Sequence, residues 1–343
     1  MTPPPRRGKA LRSPQQGSPA PVGNGPGFVR VGRFALLRTA AALGTLLGVL
    51  TLVFFVMAAS PGDPASLALR EGRGRATAPA AIASFRRLYG LDRPLLARYL
   101  SFVVNTARLD FGRSFMDGRP VREKILETLP ATLALNGGAI LLALLLAVPA
   151  GVVAARAPGG LFDRWSGVVC DGLFALPSFA LGMALLLVFS VKLRITPLFA
   201  DSDAGLIGYV LPVTTLALAT VPALARFVRA AVLESLRTPA STAATARGES
   251  SWETTRRALR RSAVSFAAMG AALLPSCVSG SVLVERLFSV PGSGGLLADA
   301  VFARDMPTVL GLSCLTAVVV VVGSVTADVV SGLLDPRVAE GAG

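Results

Sequence analysis

Reactive side chains are scarce in this chain, and they form no familiar catalytic or metal-binding pattern. The sequence contains no histidine, and Cys170, Cys277 and Cys314 all lie inside long apolar stretches without the close pairing of a thiolate metal site. No GxxxxGKS or GxxxxGKT sequence is present, so the chain lacks the phosphate-binding loop that Walker-type ATP hydrolysis requires. The sequence therefore predicts no cofactor, no metal and no catalytic residue, and the cysteines are expected to be small packing residues.

Charged residues inside or beside the apolar stretches are the remaining candidates for function. Four of them lie within a turn or two of a predicted membrane border: Asp171, Arg226, Arg229 and Asp328. Long side chains can reach the headgroups there, and opposite charges can pair. An ion-coupled transporter usually carries ionisable groups near the middle of the bilayer. The pattern favours structural roles, with an ion-coupled secondary transporter as the alternative. Structural roles are also expected for the border charges Glu285, Asp335 and Arg337.

The elements that carry these residues are membrane-spanning helices. Hydrophobic residues make up 52% of the 343, the mean hydropathy is +0.62 and only 16% of residues are charged, which excludes an ordinary soluble domain. A bilayer core of about 30 Å needs roughly 20 apolar residues in a helix, because lipid cannot satisfy backbone amides. Six stretches meet this requirement, at 34–58, 131–155, 166–191, 206–232, 262–284 and 307–330. The predicted fold class is an all-α polytopic membrane protein.

The distribution of charge predicts how the chain lies in the membrane. Residues 1–33 carry six basic residues and no acid, so they are expected to form a disordered cytoplasmic tail. Six spans then return the carboxyl-terminal tail, 339–343, to the cytoplasm. The segment 59–127 is predicted to lie outside as short helices and turns. The net charge of +14 is expected to meet anionic membrane lipid rather than nucleic acid, because the basic residues cluster at membrane borders without stacking aromatics.

The polar connector between the fourth and fifth predicted spans is the one segment with a distinctive local pattern. Its residues Thr242–Gly248 read Thr-Ala-Ala-Thr-Ala-Arg-Gly. Alanine favours a helix and allows another backbone to approach closely, and Gly248 can end that helix in a left-handed conformation. Such a short helix can fit a groove on a partner protein.

This connector resembles the EAA loop of ABC-importer permease subunits. Further motifs follow in the order and spacing of the dipeptide, oligopeptide and nickel branch, in its first or B-type permease: Pro61–Pro64, Leu88–Leu95, Asp110–Phe115, Gly118–Val121, Leu129–Thr132, Val284–Gly292 and Leu333–Arg337. The resemblance covers about residues 34–338. Three departures concern ATPase docking. Thr242 stands where the general motif carries Glu, and Ser265 stands near a position where this branch usually has Pro. The polar sequence Glu249–Glu253 also differs from the sequence that is usual there.

The resemblance implies a type I ABC-importer permease fold in the bacterial inner membrane, with both termini cytoplasmic and a permease core at 128–338. Within that core, 237–261 would be the loop that couples to the ATPases, through Thr242, Ala243, Ala244 and Gly248. The implied partners are a homologous second permease, two cytoplasmic ATP-binding subunits and an extracytoplasmic solute-binding protein. The chain would form half of a pathway for peptides or a related small solute, without being an enzyme itself.

Overall fold

The structure, a computed structural model, describes residues 27–66, 79–200, 205–262 and 282–334, with Ser265, Phe266, Met269, Gly270 and Leu273 between the last two ranges. Side chains are described from residue 39 to residue 326 of these ranges. The helices are α1 (Gly27–Ala59), α2 (Pro79–Leu88), α3 (Leu95–Ala107), α4 (Val121–Arg156), α5 (Leu161–Ala175), α6 (Ser178–Leu185), α7 (Gly205–Gly208), α8 (Val210–Leu236), α9 (Pro239–Ala246), α10 (Ser251–Arg261), α11 (Val282–Leu287), α12 (Ser293–Phe302) and α13 (Met306–Leu334). A π-helical segment, Leu186–Lys192, continues α6.

The predicted all-α polytopic fold is confirmed. Four helical segments are long and apolar enough to cross a membrane, namely Thr39–Ala59, Val121–Arg156, Gly205–Leu236 and Met306–Thr326. A bent pair, Leu161–Ala175 with Ser178–Lys192, passes the same test and can serve as a fifth. Most of the predicted span 262–284 lies outside the described residues, so the total of six spans stays a prediction. The carboxyl-terminal tail 339–343 also lies outside them.

The first helix begins earlier than the sequence indicated. Disorder was expected through residue 33, but α1 already starts at Gly27, so that expectation is wrong for residues 27–33. Extending an existing helix adds one backbone hydrogen bond for each residue that is ordered, which costs far less than nucleating a new helix. Residues 1–26 lie outside the described residues.

Two prolines have opposite effects on the spans. Helix α4 passes through Pro130 without a break, so the end of the segment predicted to lie outside, from Val121, and the predicted span from 131 form one helix of 36 residues. At about 1.5 Å per residue this helix is about 54 Å long, longer than a bilayer core of about 30 Å. The predicted continuous span 166–191 is instead bent by 101° between Ala175 and Ser178. Leu176 is extended there, as expected before Pro177, which disfavours a helical conformation in the preceding residue.

Helices α4 and α8 form the centre of the described structure. Ala143, Ala147, Ala217 and Ala225 are buried between α4, α5 and α8. A β-carbon placed on Gly151 would lie 2.7 Å from the carbonyl oxygen of Ala225, so the two backbones approach too closely for any side chain there. Small residues at helix contacts allow this packing in a membrane, where van der Waals contact replaces the hydrophobic effect.

The segment before α4 packs as a cap on the starts of α4 and α13. Phe54 of α1 and Phe115 of the loop before α4 are buried in an aromatic cluster with Phe85 and Tyr89. The buried carboxylate of Asp305 accepts hydrogen bonds from the Ser114 hydroxyl and from the Phe115 backbone N–H, the latter at 2.9 Å. This end of the molecule is therefore tied together by aromatic packing and by one buried acid.

Candidate coupling loop and charged cavity

Helix α9 of the connector is defined at both ends by local hydrogen bonds. Thr238 precedes it, its hydroxyl oxygen accepts from the Ser241 N–H at 3.4 Å, and Pro239 occupies the first helical position. At the other end Gly248 has φ +84°, as the sequence predicted. The Glu249 N–H donates to the Ala244 carbonyl at 3.2 Å and the Gly248 N–H to that of Thr245 at 3.0 Å. These two bonds form a Schellman motif.

Helix α10 begins with a capping box that our sequence reasoning did not identify. The Ser250 hydroxyl oxygen accepts from the Glu253 N–H, and the Glu253 carboxylate accepts from the Ser250 N–H, both at 3.2 Å. The residue types at these positions, Ser and then Glu three residues later, are the known signature and could have revealed it. The polar sequence Glu249–Glu253, which we noted as a departure from the family pattern, therefore has a local structural role.

Hydrogen bonds from distant helices hold the connector against the membrane helices. The Ser241 hydroxyl donates to the Ser235 carbonyl at the end of α8, at 2.9 Å. A guanidinium nitrogen of Arg261 donates to the Ser241 hydroxyl at 3.0 Å. At the carboxyl end of α4, Arg156 donates to the Ser251 hydroxyl, also at 3.0 Å. The Ser241 and Ser251 bonds therefore fasten the connector to α8 and α4, and the Arg261 bond ties its two helices together.

The four residues predicted to contact an ATPase do not share one face. Thr242, Ala243 and Gly248 are exposed. Ala244 is only 1% exposed and packs inside this chain. A direct ATPase contact through the Ala244 side chain is therefore the wrong interpretation, because neighbouring residues on a helix point about 100° apart and only part of α9 can face outward. Ala244 instead seats α9 on the rest of the chain.

Two ion pairs join α5 to α8 near the connector. Arg229 makes a two-pronged contact with Asp163, with Nε 2.5 Å from Oδ1 and Nη2 2.7 Å from Oδ2. Arg226 pairs with Asp171, and its guanidinium lies 5.7 Å from the centre of the Phe174 ring. Asp171, Arg226 and Arg229 were predicted as paired border charges, whereas Asp163 was missed. Asp163 precedes the predicted start of its span, so nothing local marked it as a partner.

These ion pairs line a cavity of about 440 Å³. Its other walls come from small residues of α4 and α5, including Ala150, Gly151, Ala154, Ser166 and Gly167. The Asp171 side chain is 73% exposed and that of Arg226 is 49% exposed. A charged side chain facing hydrocarbon costs at least about 2.5 kcal/mol. This face of α5 and α8 therefore suits contact with water, lipid headgroups or another protein better than contact with hydrocarbon.

Glu285 anchors the loop between α11 and α12 at the opposite end of the membrane helices. Its side chain is fully buried, and it accepts from the Gly295 N–H at 2.8 Å and from the Thr132 hydroxyl at 3.2 Å. A β-carbon on Gly292 would lie 2.4 Å from a Glu285 carboxylate oxygen, so only glycine leaves room for the carboxylate there. Burial raises the pKa of the Glu285 carboxyl, and the hydrogen bonds from Gly295 and Thr132 oppose that rise. This hydrogen-bond network is compatible with the structural role that was predicted for Glu285.

The remaining predicted border charges cannot be placed. Asp328 lies in α13 beyond the described side chains, and Asp335 and Arg337 lie outside the described residues. Among the residues that were searched, no group of three or more His, Cys, Asp or Glu side chains could hold a metal ion.

Comparison with known proteins gives a consistent result along nearly the whole chain. Residues 147–340 match the family described as binding-protein-dependent transport system inner membrane component. Residues 31–136 match its amino-terminal counterpart. The chain is similar to the oligopeptide transport system permease protein AppB of Bacillus subtilis, with 31% identity over 89% of this chain and 98% of that protein.

Two further relatives have similar coverage. The dipeptide transport system permease protein DppB of Lactococcus lactis is 30% identical over 89% of this chain and 99% of its own length. The glutathione transport system permease protein GsiC of Escherichia coli is 31% identical over 89% of this chain and 98% of its own length.

Proposed function

The chain belongs to the family of inner membrane components of binding-protein-dependent transport systems, and we propose that it forms half of an ATP-driven import pathway for peptides. Relatives of this chain are named for oligopeptide, dipeptide and glutathione transport, so a peptide is the solute class that best fits this chain. Which peptide it carries would depend largely on the binding protein that delivers it.

The observation that carries this proposal is the geometry of the connector. Helix α9 is capped at both ends and presents Thr242 and Ala243 outward, while Ala244 and Ser241 are buried within this chain. A rigid helix of this kind can sit in a groove of a cytoplasmic ATPase and transmit its movement through α8 and α4. No catalytic machinery is needed in the chain itself, because the partner subunits would hydrolyse ATP.

The orientation that we propose is supported by the same arrangement. The connector lies at the carboxyl end of α4, and the capping segment 79–120 lies at its amino end. If the connector meets ATPases in the cytoplasm, the capping segment faces outward and can receive the solute-binding protein. Both termini would then be cytoplasmic, as the charge distribution predicts.

The charged cavity between α5 and α8 suggests where the pathway runs. Its exposed pair, Asp171 and Arg226, would be unfavourable against hydrocarbon. A wall of a water-filled pathway shared with a homologous second permease would remove that cost. Both carboxylates of the cavity are paired with arginines, which suits a polar wall better than a carrier of coupling ions.

The test is purification of the tagged chain from native membranes, followed by mass spectrometry of its partners and by reconstitution into vesicles. We expect a second permease, two ATPases and ATP-dependent uptake of short peptides in the presence of the binding protein. A matched complex whose ATPases lack the phosphate-binding lysine should assemble but not transport. Uptake that needs an ion gradient and no ATPase would refute the proposal.

A further inference from the structure

Arg98 of α3 is a partly buried cation without an acidic partner in the described part of the chain. Its only described side-chain contact is from Nη2 to the Met306 sulfur, at 3.5 Å. Burial lowers the pKa of this arginine, yet a guanidinium stays protonated in proteins. A cation that is partly withdrawn from water in this way gains stability from a partner of opposite charge. An anion from outside this chain could supply that partner.

The side chain of Arg98 lines a cavity of about 220 Å³. Its walls are mostly aromatic and apolar, from Phe54, Phe102, Phe111, Phe115 and Leu310. Three arginines and a single aspartate also line it, namely Arg93, Arg98, Arg113 and Asp110. The Asp110 carboxylate already accepts from the Gly112 N–H at 2.9 Å. The cavity is therefore apolar within and positively charged overall, which suits an amphiphile with an anionic head.

The position of the cavity favours a membrane lipid over a soluble anion. Helix α3 packs against the last turns of α1, with the Thr51 and Tyr99 hydroxyl oxygens 2.7 Å apart and the Phe54 and Phe102 rings 5.5 Å apart. Only 11% of the most apolar stretch of α1 is buried, against at least 33% in the other three single-helix spans. One residue of the cavity wall, Phe54, therefore comes from the span that is least buried within the described part of this chain.

The outer face of α3 points to the same environment. Leu96, Leu100 and Val104 are spaced four residues apart, form one stripe on the helix and are at least half exposed. An apolar stripe at the level of the last turns of a membrane span is covered by acyl chains when the helix lies in the membrane border. The border is also where phospholipid phosphates are found.

We propose that this cavity binds the phosphate of a membrane phospholipid, with Arg98 as its main contact and the aromatic wall against the glycerol and upper acyl chains. A guanidinium presents paired N–H donors that match phosphate oxygens. Bound in this way, the lipid would fasten α3 and the capping segment to α1 and α13. The inference requires only that the chain spans a membrane. Its test therefore gives the same answer whichever solute the chain transports.

The experiment compares phospholipid bound to the purified complex of wild type, Arg98→Gln and Arg108→Gln. Arg108 follows the same helix, is exposed and does not line this cavity, so it controls for loss of one positive charge. Native mass spectrometry and quantitative lipid extraction should show loss of about one phospholipid per chain in Arg98→Gln only, because one phosphate site is removed. Equal lipid content in all three proteins would overturn the proposal.

A second measurement separates lipid from other anions. Delipidated wild type should unfold at a higher temperature after addition of phosphatidylglycerol, whereas Arg98→Gln should gain no such protection and Ser101→Phe, which fills the cavity, should gain less. Equal protection by inorganic phosphate would show a free-anion site and contradict the lipid assignment. Weaker affinity of Arg98→Gln for the purified binding protein, with unchanged lipid content, would instead make the cavity a protein-docking site.

Discussion

Two adjacent alanines in α9 allow a sharp test of how the connector works. Ala243 is exposed, whereas Ala244 is 1% exposed and packs against the rest of the chain. The same substitution, to glutamate, therefore adds the same charge to two different environments. We expect Ala244→Glu to detach α9 from this chain, and Ala243→Glu to leave the chain folded but to block ATPase attachment.

The magnitudes follow from burial. Burying a carboxylate without a partner costs several kcal/mol, even after the surroundings relax. The chain can avoid that cost by releasing the eight-residue helix α9, so the loss for Ala244→Glu is limited to the free energy that seats this helix. At Ala243 the new carboxylate stays in water, and the change in stability should remain within about 0.5 kcal/mol.

Limited trypsin digestion can report detachment, because Arg247 and Arg237 flank α9. In the purified permease pair we expect faster cleavage in Ala244→Glu and wild-type cleavage in Ala243→Glu. Both variants should lose peptide-stimulated ATP hydrolysis in the full complex. Ala80→Glu serves as the control, since Ala80 is an exposed alanine of α2 in the capping segment, and it should change neither measurement.

The reasoning would be refuted in two ways. Wild-type trypsin resistance in Ala244→Glu would mean that Ala244 is not seated as the structure indicates. Normal ATP hydrolysis and uptake by Ala243→Glu, at matched abundance in the membrane, would mean that the exposed face of α9 does not meet an ATPase.

Three further outcomes are expected. Gly248→Val should destabilise the connector by about 1–2 kcal/mol and Gly248→Asn by less, because the space beside the glycine is open and only its left-handed backbone resists a side chain; equal trypsin sensitivity of both variants would contradict this. Burial raises the folded-state pKa of Glu285 above its ordinary value of 4.5, so the thermal stability of the complex should fall as the pH rises from 4.5 through that raised pKa. Glu285→Gln should remove this pH dependence. A variant with the same pH dependence as wild type would show that another group causes it. Asp163→Asn should lower the unfolding temperature more than Asp171→Asn, because the Asp171 pair is exposed and such pairs contribute about 0–1 kcal/mol; the reverse order would show that the exposed pair is the stronger link.

Features that depend on residues close together in the chain could be predicted from the sequence alone. Long uncharged runs determined the membrane class and the helical fold, since lipid leaves no other way to satisfy the backbone. The left-handed end of α9 at Gly248 was also predictable, because alanine-rich helices commonly end at glycine. The capping box at Ser250 and Glu253 depends on equally local types and could have been predicted.

Features that join distant residues were decided by the tertiary structure. Arg229 lies 66 residues from Asp163, and no pattern in the sequence could select that carboxylate as its partner. The composition of α9 likewise does not reveal that Ala244 is buried and Ala243 is exposed. Pro130 and Pro177 show the physical reason most clearly, because one lies inside an unbroken helix and the other at a 101° bend. Proline removes the same backbone donor at both positions, and the packing around each one determines whether the helix continues.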